Sequence, residues 1–467
     1  MRSLPPLPAA LAAILLTVGA ARAGADAHPA TADRGGATQH GDAAASDTSP
    51  LPGPGVGPLR VASLPLLAAC PSVLFGRDDL LVAVCTQILN QTPAVFLLHP
   101  DDGRVLTSLP LRAGASLLGG VYPYLDHEDR LVVVDGQQTL LRIAHLPDGL
   151  GGHRLEVASR ASLAELIPAD DTVVGLIPDR AGRVWLATTA GRVLVVEPDG
   201  SAPRLLALPA GERIANSIAS APAGVAVVTD RALYVVDAGP NQPPSIVWRA
   251  TYARGLARKP GKLSHGSGST PTFFGPRTGG EYLTIADDAE PLEQLHVFDA
   301  RSGALHCTVP LPDPTGRGSE NSPIGAGSSV WVASTYGYPY PALPAGAGAS
   351  VPASAPLGGG LTRVDVRDDG CEVVWTAAVR SAAVPKLSLP DGLIYTVERT
   401  PIASDGSAGP LDAYDLVAFD ADSGLLRARH PLGAGALSDT MQLAGTLAPG
   451  RVIYQGTLAG ILRIAPR

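Results

Sequence analysis

The triplet Lys-Leu-Ser occurs twice, in GKLSHGSGSTPT (261–272) and in VPKLSL (384–389). Of 35 basic residues only Lys259, Lys262 and Lys386 are lysine. Two lysines in matched triplets of an arginine-dominated chain point to positions that take a compact ammonium rather than a planar guanidinium. Carboxylates stand in comparable surroundings: Asp287 and Asp288 in ADDAEPLE (286–293), Glu320 in GSENSPIG (318–325) and Asp439 in LSDTMQL (437–443). Asn321 follows Glu320, and Asn216 lies in IANSIAS (214–220). Such a set supports two chemistries. Lys262 and Lys386 pair with Glu320, Asp287 or Asp288, as an ion-pair ring or an anion site. Alternatively Glu320, Asn321 and Asn216, joined by Asp439, offer hard oxygens to a divalent cation such as calcium. The ammonium groups would repel that cation, so the two readings compete.

These residues need a scaffold that brings distant segments together. Turn signals recur about every ten residues between short β-branched runs, and only ASLAELI (161–167) shows a helical period, which is the pattern of an all-β fold. A longer repeat overlies it. HVFDARSGALHCTVPL (296–311) and VAFDADSGLLRARHPL (417–432) are near copies, and FLLHPDDGRVLTSLPL (96–111) and VVEPDGSAPRLLALPA (195–210) share their form. Each reads as strand, Asp/Gly turn, strand: glycine takes positive φ and aspartate bonds its own turn. Extended backwards, the copies give four-stranded units at 70–111, 119–160, 173–209, 214–251, 268–310, 321–379 and 384–432. The piece 437–465 has three strands and LRVASLPLL (59–67) offers the fourth. The expected fold is an all-β propeller of eight four-stranded blades closed by N- and C-terminal strands, with seven blades as the alternative.

In a propeller the connections between blades and the B-to-C loops share one face. The A-to-B and C-to-D turns here are short and stereotyped. All eight polar candidates fall on the other face, together with the long loops 336–360 and 399–412. Irregular loops on one side of a rigid scaffold are where binding concentrates.

Two resemblances follow from the repeats. DRAGRVWLATTAGRVLVVEPDG (179–200) resembles the blade motif of gluconolactonase and NHL-type propellers, and the FDARSG and FDADSG units resemble repeats of the quinoprotein (PQQ-like) propellers. KLS, GSGSTPT, ENS and the terminal GTLAGILRI together resemble a group of secreted bacterial propellers, a likeness that implies the fold and carries no activity. The gluconolactonase likeness implies a cation-dependent lactonase or esterase with its metal at the channel mouth, though the motif spacing of those enzymes is not reproduced. The quinoprotein likeness implies a dehydrogenase, but the four tryptophans, Trp185, Trp248, Trp331 and Trp375, are scattered and form no tryptophan-rich repeat, and no adjacent cysteine pair exists, which argues against bound PQQ. The preferred reading is a ligand- or partner-binding scaffold, its partner a small molecule, a glycan or a protein, with Tyr336, Tyr338 and Tyr340 suited to sugar or peptide contacts. Whether it is an enzyme stays open.

The termini and composition set the setting. Met1-Arg2-Ser3, the apolar run Leu7 to Ala20 and Ala21-Arg22-Ala23 form a secretory signal over 1–23, too short to span a membrane. No cysteine follows it. Residues 24–58 hold almost no large apolar side chain and read as a flexible linker, leaving 59–467 as a single domain. A formal charge of -8 argues against nucleic acid. Four cysteines in an exported chain imply two disulfides. Among three connectivities, Cys70–Cys85 and Cys307–Cys371 are favoured because each would join neighbouring strands or blades. No GxSxG, HExxH, CxxC or phosphate-binding loop is present. A periplasmic or secreted monomer without a membrane span is expected.

Overall fold

The computed structural model describes residues 28–32, 34–114, 122–312, 317–344 and 346–467. The signal at 1–23 lies outside the described residues. Eight four-stranded antiparallel sheets follow one another along the chain. Their innermost strands are Ala68–Phe75, Tyr124–Leu125, Val173–Pro178, Ala219–Ala221, Thr272–Phe274, Ile324–Ala326, Lys386–Ser388 and Thr446–Ala448, which define blades 1 to 8. The eighth sheet is completed by Leu59–Pro65, antiparallel to Gly460–Pro466 in the register Leu59↔Pro466, Val61↔Ile464 and Pro65↔Gly460. The chain is therefore an eight-bladed β-propeller, and the seven-bladed alternative is excluded.

Side-chain pattern explains the layering within each blade. Middle strands such as Arg192–Val196 and Leu131–Val134 are runs of Val and Leu buried on both faces, because each is sandwiched between neighbouring blades. Outer strands alternate: His153–Ser162 is half-buried and exposed at every second residue. The helical reading of 161–167 resolves into one turn, Ile167 N–H donating to Leu163 O, and a 3-10 turn lies at Ala436–Ser438.

The repeated FDxxSG turn carries contacts between blades. Asp299 Oδ1 accepts from Ser302 N–H at 2.7 Å, and Asp420 Oδ1 from Ser423 N–H at 2.9 Å. Gly303 and Gly424 take φ of 72° and 71°. Each also faces a tryptophan of the preceding blade's outer strand. A Cβ at Gly303 would lie 2.5 Å from the Trp248 ring, and one at Gly424 2.6 Å from Trp375. Trp248 Nε1 and Trp331 Nε1 donate to Ala300 O and Ala421 O. Trp185 donates to Asp179 Oδ2. The tryptophans are thus tied into blade packing. Both expected disulfides form: Cys70–Cys85 links adjacent strands of blade 1, and Cys307–Cys371 links the outer strands of blades 5 and 6.

The segment expected to be a flexible linker behaves otherwise. From Ala43 to Ser49 every residue is buried, and its carbonyls accept from inner-strand amides. Thr48–Ser49 adds a fifth, parallel strand to blade 7. Compositional reasoning missed this because small residues lack the apolar area that drives ordinary burial. Here the gain lies in the backbone: the inner strands have a free edge whose buried N–H groups need acceptors. Among the described residues of the segment, Pro29, Pro50 and the end at Val56–Pro58 are exposed.

Candidate functional site

The site assembles where inter-blade connections approach the inner strands. Lys262 is fully buried, its Nζ donating to Ser267 O at 2.7 Å and Ser319 O at 3.0 Å and lying 3.7 Å from Asp288 Oδ1. Lys259, the third lysine, reaches the same Asp288 oxygen at 3.3 Å and donates to Ala289 O. Burial alone would lower the Lys262 pKa, but Asp288, Glu293, Glu320 and Asp287 together hold it above the ordinary lysine value.

Around this ammonium the carboxylates divide by role. Asp287 ends a strand: its Oδ1 accepts from Ala289 and Gln294 N–H, and its Oδ2 lies 2.9 Å from His296 Nε2. Asp288, fully buried, has ion-pair neighbours but no hydrogen bond to either oxygen among the described residues. Glu293 accepts from Ser319 N–H at 2.8 Å, and burial pushes its pKa up to about 7 against the opposing pull of Lys262. Glu320 accepts from Asn216 Nδ2 at 3.2 Å; burial pushes it up to about 8, with Lys262 opposing. Asn216 in turn accepts from the Tyr122 hydroxyl at 2.9 Å and donates to Gly268 O.

Lys262, Asp287, Asp288, Glu320 and Asn216 therefore converge, and the other three candidates lie apart. Asn321 donates to Gln442 Oε1 at 3.2 Å. Asp439 accepts from the Tyr338 hydroxyl and from Arg399 Nη1 at 3.0 Å. Lys386 departs from the expected pairing: its Nζ donates to Gln39 O at 2.7 Å and lies 3.4 Å from Asp47 Oδ1, both in the segment inside the ring. Burial lowers its pKa, and Asp47 offsets only part of that. The two KLS lysines thus serve separate networks.

Sequence reasoning missed Asp47, His40, Tyr122, Glu293, Arg399 and Gln442. Asp47 is the centre of the second network, fully buried, 3.0 Å from His40 Nδ1 and accepting from Ser322 Oγ. Serine, histidine and aspartate meet there, but Ser322 Oγ and Asp47 both face the same ring nitrogen, Nδ1, at 3.2 and 3.0 Å. A nucleophilic relay needs the serine on the other nitrogen. The available signal was the make-up of residues 24–58, which contain neither lysine nor glutamate, unlike most solvated tethers.

The polar groups are covered, not displayed. Asn216 is 9 % exposed, Glu320 5 % and Asn321 3 %. Loop 336–360 reaches over them: Tyr338 meets Asp439, and the Tyr340 phenol, packed edge-on against Tyr338, is raised well above its ordinary pKa by burial and then by Glu320, Tyr122 and Asp439. A cation site at Glu320, Asn321 and Asn216 would need their oxygens to converge. Instead Asn216 and Asn321 turn their NH2 groups to Glu320 and Gln442, and among the described residues no three His, Cys, Asp or Glu side chains are grouped to hold a metal.

No family model matches the chain, and no curated protein does. Among solved structures, BamB from Moraxella catarrhalis is similar at a TM-score of 0.41 and 12% identity, covering 72% of this chain and 93% of its own. The hydrogen-bonded topology, not that overlap, carries the fold. The fold and site define a disulfide-linked eight-bladed propeller with a buried lysine–carboxylate cluster, in which Asp288, Glu293 and Glu320 keep oxygens without a hydrogen bond among the described residues.

Proposed function

We propose that this protein is an exported, partner-binding propeller, and that it binds through the rim of loops around the covered mouth. One observation carries the reading. The loops of this face are hydrogen-bonded to one another in series: Val351 N–H to Arg258 O, Leu357 N–H to Gly406 O, and Gly435 N–H to Asp412 O. The resulting ridge exposes large apolar side chains, Leu256 (94%), Leu343 (47%), Val351 (65%), Ile402 (68%), Leu411 (71%) and Leu437 (63%). Apolar groups gathered on one rigid rim, next to charged residues, are the make-up of a protein-docking surface. A separate arginine–carboxylate network fixes the loops: Arg399 bonds Asp412 and Asp439, and the Tyr338 hydroxyl bonds Asp439. Two disulfides fit an oxidising, extracytoplasmic compartment.

The test compares wild type with Leu256→Asp/Ile402→Asp/Leu411→Asp as baits in periplasmic extract, followed by titration of any captured protein in purified form. The reading expects a purified partner that binds wild type and binds the variant at least about tenfold more weakly, with melting temperature unchanged because the three side chains are exposed. Equal binding by both baits would remove the ridge from the account.

A further inference from the structure

We infer that the central channel is a binding site for an extended peptide of small residues with one anchoring carboxylate, and that residues 34–54 are its tethered occupant. The segment makes an ordered circuit of the ring. Gly36 O accepts from Phe75 N–H of blade 1 at 3.1 Å, and Ala37 O from Leu125 N–H of blade 2 at 2.8 Å. Ala43 O then accepts from Ser220 of blade 4, Ala44 O from Phe273 of blade 5, Ser46 O from Gly325 of blade 6 and Asp47 O from Leu387 of blade 7. Six inner strands are met in ring order, each through an amide on its free edge. Recognition by main-chain carbonyls places no demand on side-chain identity beyond size.

Size and charge supply the selectivity. A Cβ at Gly36 would fall within the Phe75 ring. Ala37, Ala43, Ala44 and Ala45 are buried against the inner strands. The one carboxylate of the segment that meets the ring is Asp47, which faces Lys386 Nζ at 3.4 Å and Ser322 Oγ, with the segment's own His40 Nδ1 beside it; at the start of the segment Arg34 pairs with Asp79 at 2.8 Å. Lys386 also holds Gln39 O at 2.7 Å. A lysine of the ring thus grips the occupant at two points, and this explains why Lys386 departs from the network around Lys262. The occupant is joined to blade 8 through the exposed stretch Val56–Pro58, and such a short tether raises its effective concentration at the channel to the millimolar range, about 1 mM.

The experiment uses the full chain with a protease site inserted between Gly57 and Pro58. After cleavage, a fluorescein-labelled synthetic peptide of residues 34–54 is titrated against the cut protein. The inference expects saturable exchange at one peptide per propeller, at least about tenfold weaker for the Asp47→Ala peptide and absent for a scrambled sequence. Failure of the cleaved segment to exchange short of global unfolding would make it part of the fold and overturn the inference, as would equal binding of the scrambled peptide. Amide hydrogen exchange on the uncut protein gives a second readout, free of any folding defect caused by cleavage. Phe75, Leu125, Ser220, Phe273, Gly325 and Leu387 should exchange as one group, ahead of the middle strand Arg192–Val196. Protection equal to that of the middle strand would also overturn it.

Discussion

Glu320 is the residue whose ionisation the fold resists most clearly. Its carboxyl is buried, and one oxygen finds no hydrogen bond among the described residues. Burial lifts its pKa from 4.5 to about 8, and that of Glu293 to about 7. Between the unfolded and folded values the native state keeps protons that the unfolded chain has lost. Stability therefore falls as pH rises from about 4.5 to about 8. Glu320→Gln removes the larger contribution. We expect its urea midpoint to match wild type near pH 4.5 and exceed it at pH 8.5; a variant less stable than wild type at pH 8.5 would refute the assignment. Lysine rarity made Lys262 and Lys386 visible in the sequence, yet only one partner set was. The carboxylates near Lys262 lie in strand-flanking loops whose places follow from the blade order. Asp47 lies in a segment without periodicity, so nothing local announces that it faces Lys386.

At the scale of the element, the FDxxSG turn joins local conformation to packing between blades. Its repetition located the blades, because the Asp–Ser–Gly spacing is fixed by one turn geometry. The partner of its glycine was not legible: Trp248 precedes Gly303 by a whole blade unit and meets it only through ring curvature. Gly303 and Gly149 share left-handed backbone, at φ 72° and 79°, but no atom lies within 4 Å of a Cβ built at Gly149. Gly149→Ala should therefore cost about 1 kcal/mol, the backbone penalty alone. Gly303→Ala should cost roughly 2–4 kcal/mol, since the Trp248 ring must also move. Equal urea midpoints for the two variants would show that the turn glycine has no role between blades. The loops differ from the turns in this respect. Loop 336–360 has no repeat to read, and its position over Glu320 follows from contacts with blades distant in sequence.

For the molecule as a whole, the ring is closed by main-chain pairing in one place and braced by a covalent bond in another. Leu59–Pro65 closes blade 8, and Cys307–Cys371 clamps the outer strands of blades 5 and 6 across a sequence separation of 64. Cys70–Cys85 spans 15 residues inside one blade. Opening a propeller means separating two neighbouring blades, and only the longer cross-link opposes that directly. Chain entropy assigns it the larger effect, about 4 kcal/mol against about 3 kcal/mol. Both of its cysteines are half-buried, so Cys307→Ala/Cys371→Ala removes the cross-link without leaving a deep cavity. We expect that pair of substitutions to lower the urea midpoint in a single cooperative transition, because loss of the clamp weakens closure of the entire ring. A separate early transition confined to blades 5 and 6, followed by hydrogen exchange at Phe298 and Val364, would show instead that blades open independently. The apolar ridge and the occupied channel would then rest on local blade packing, not on closure.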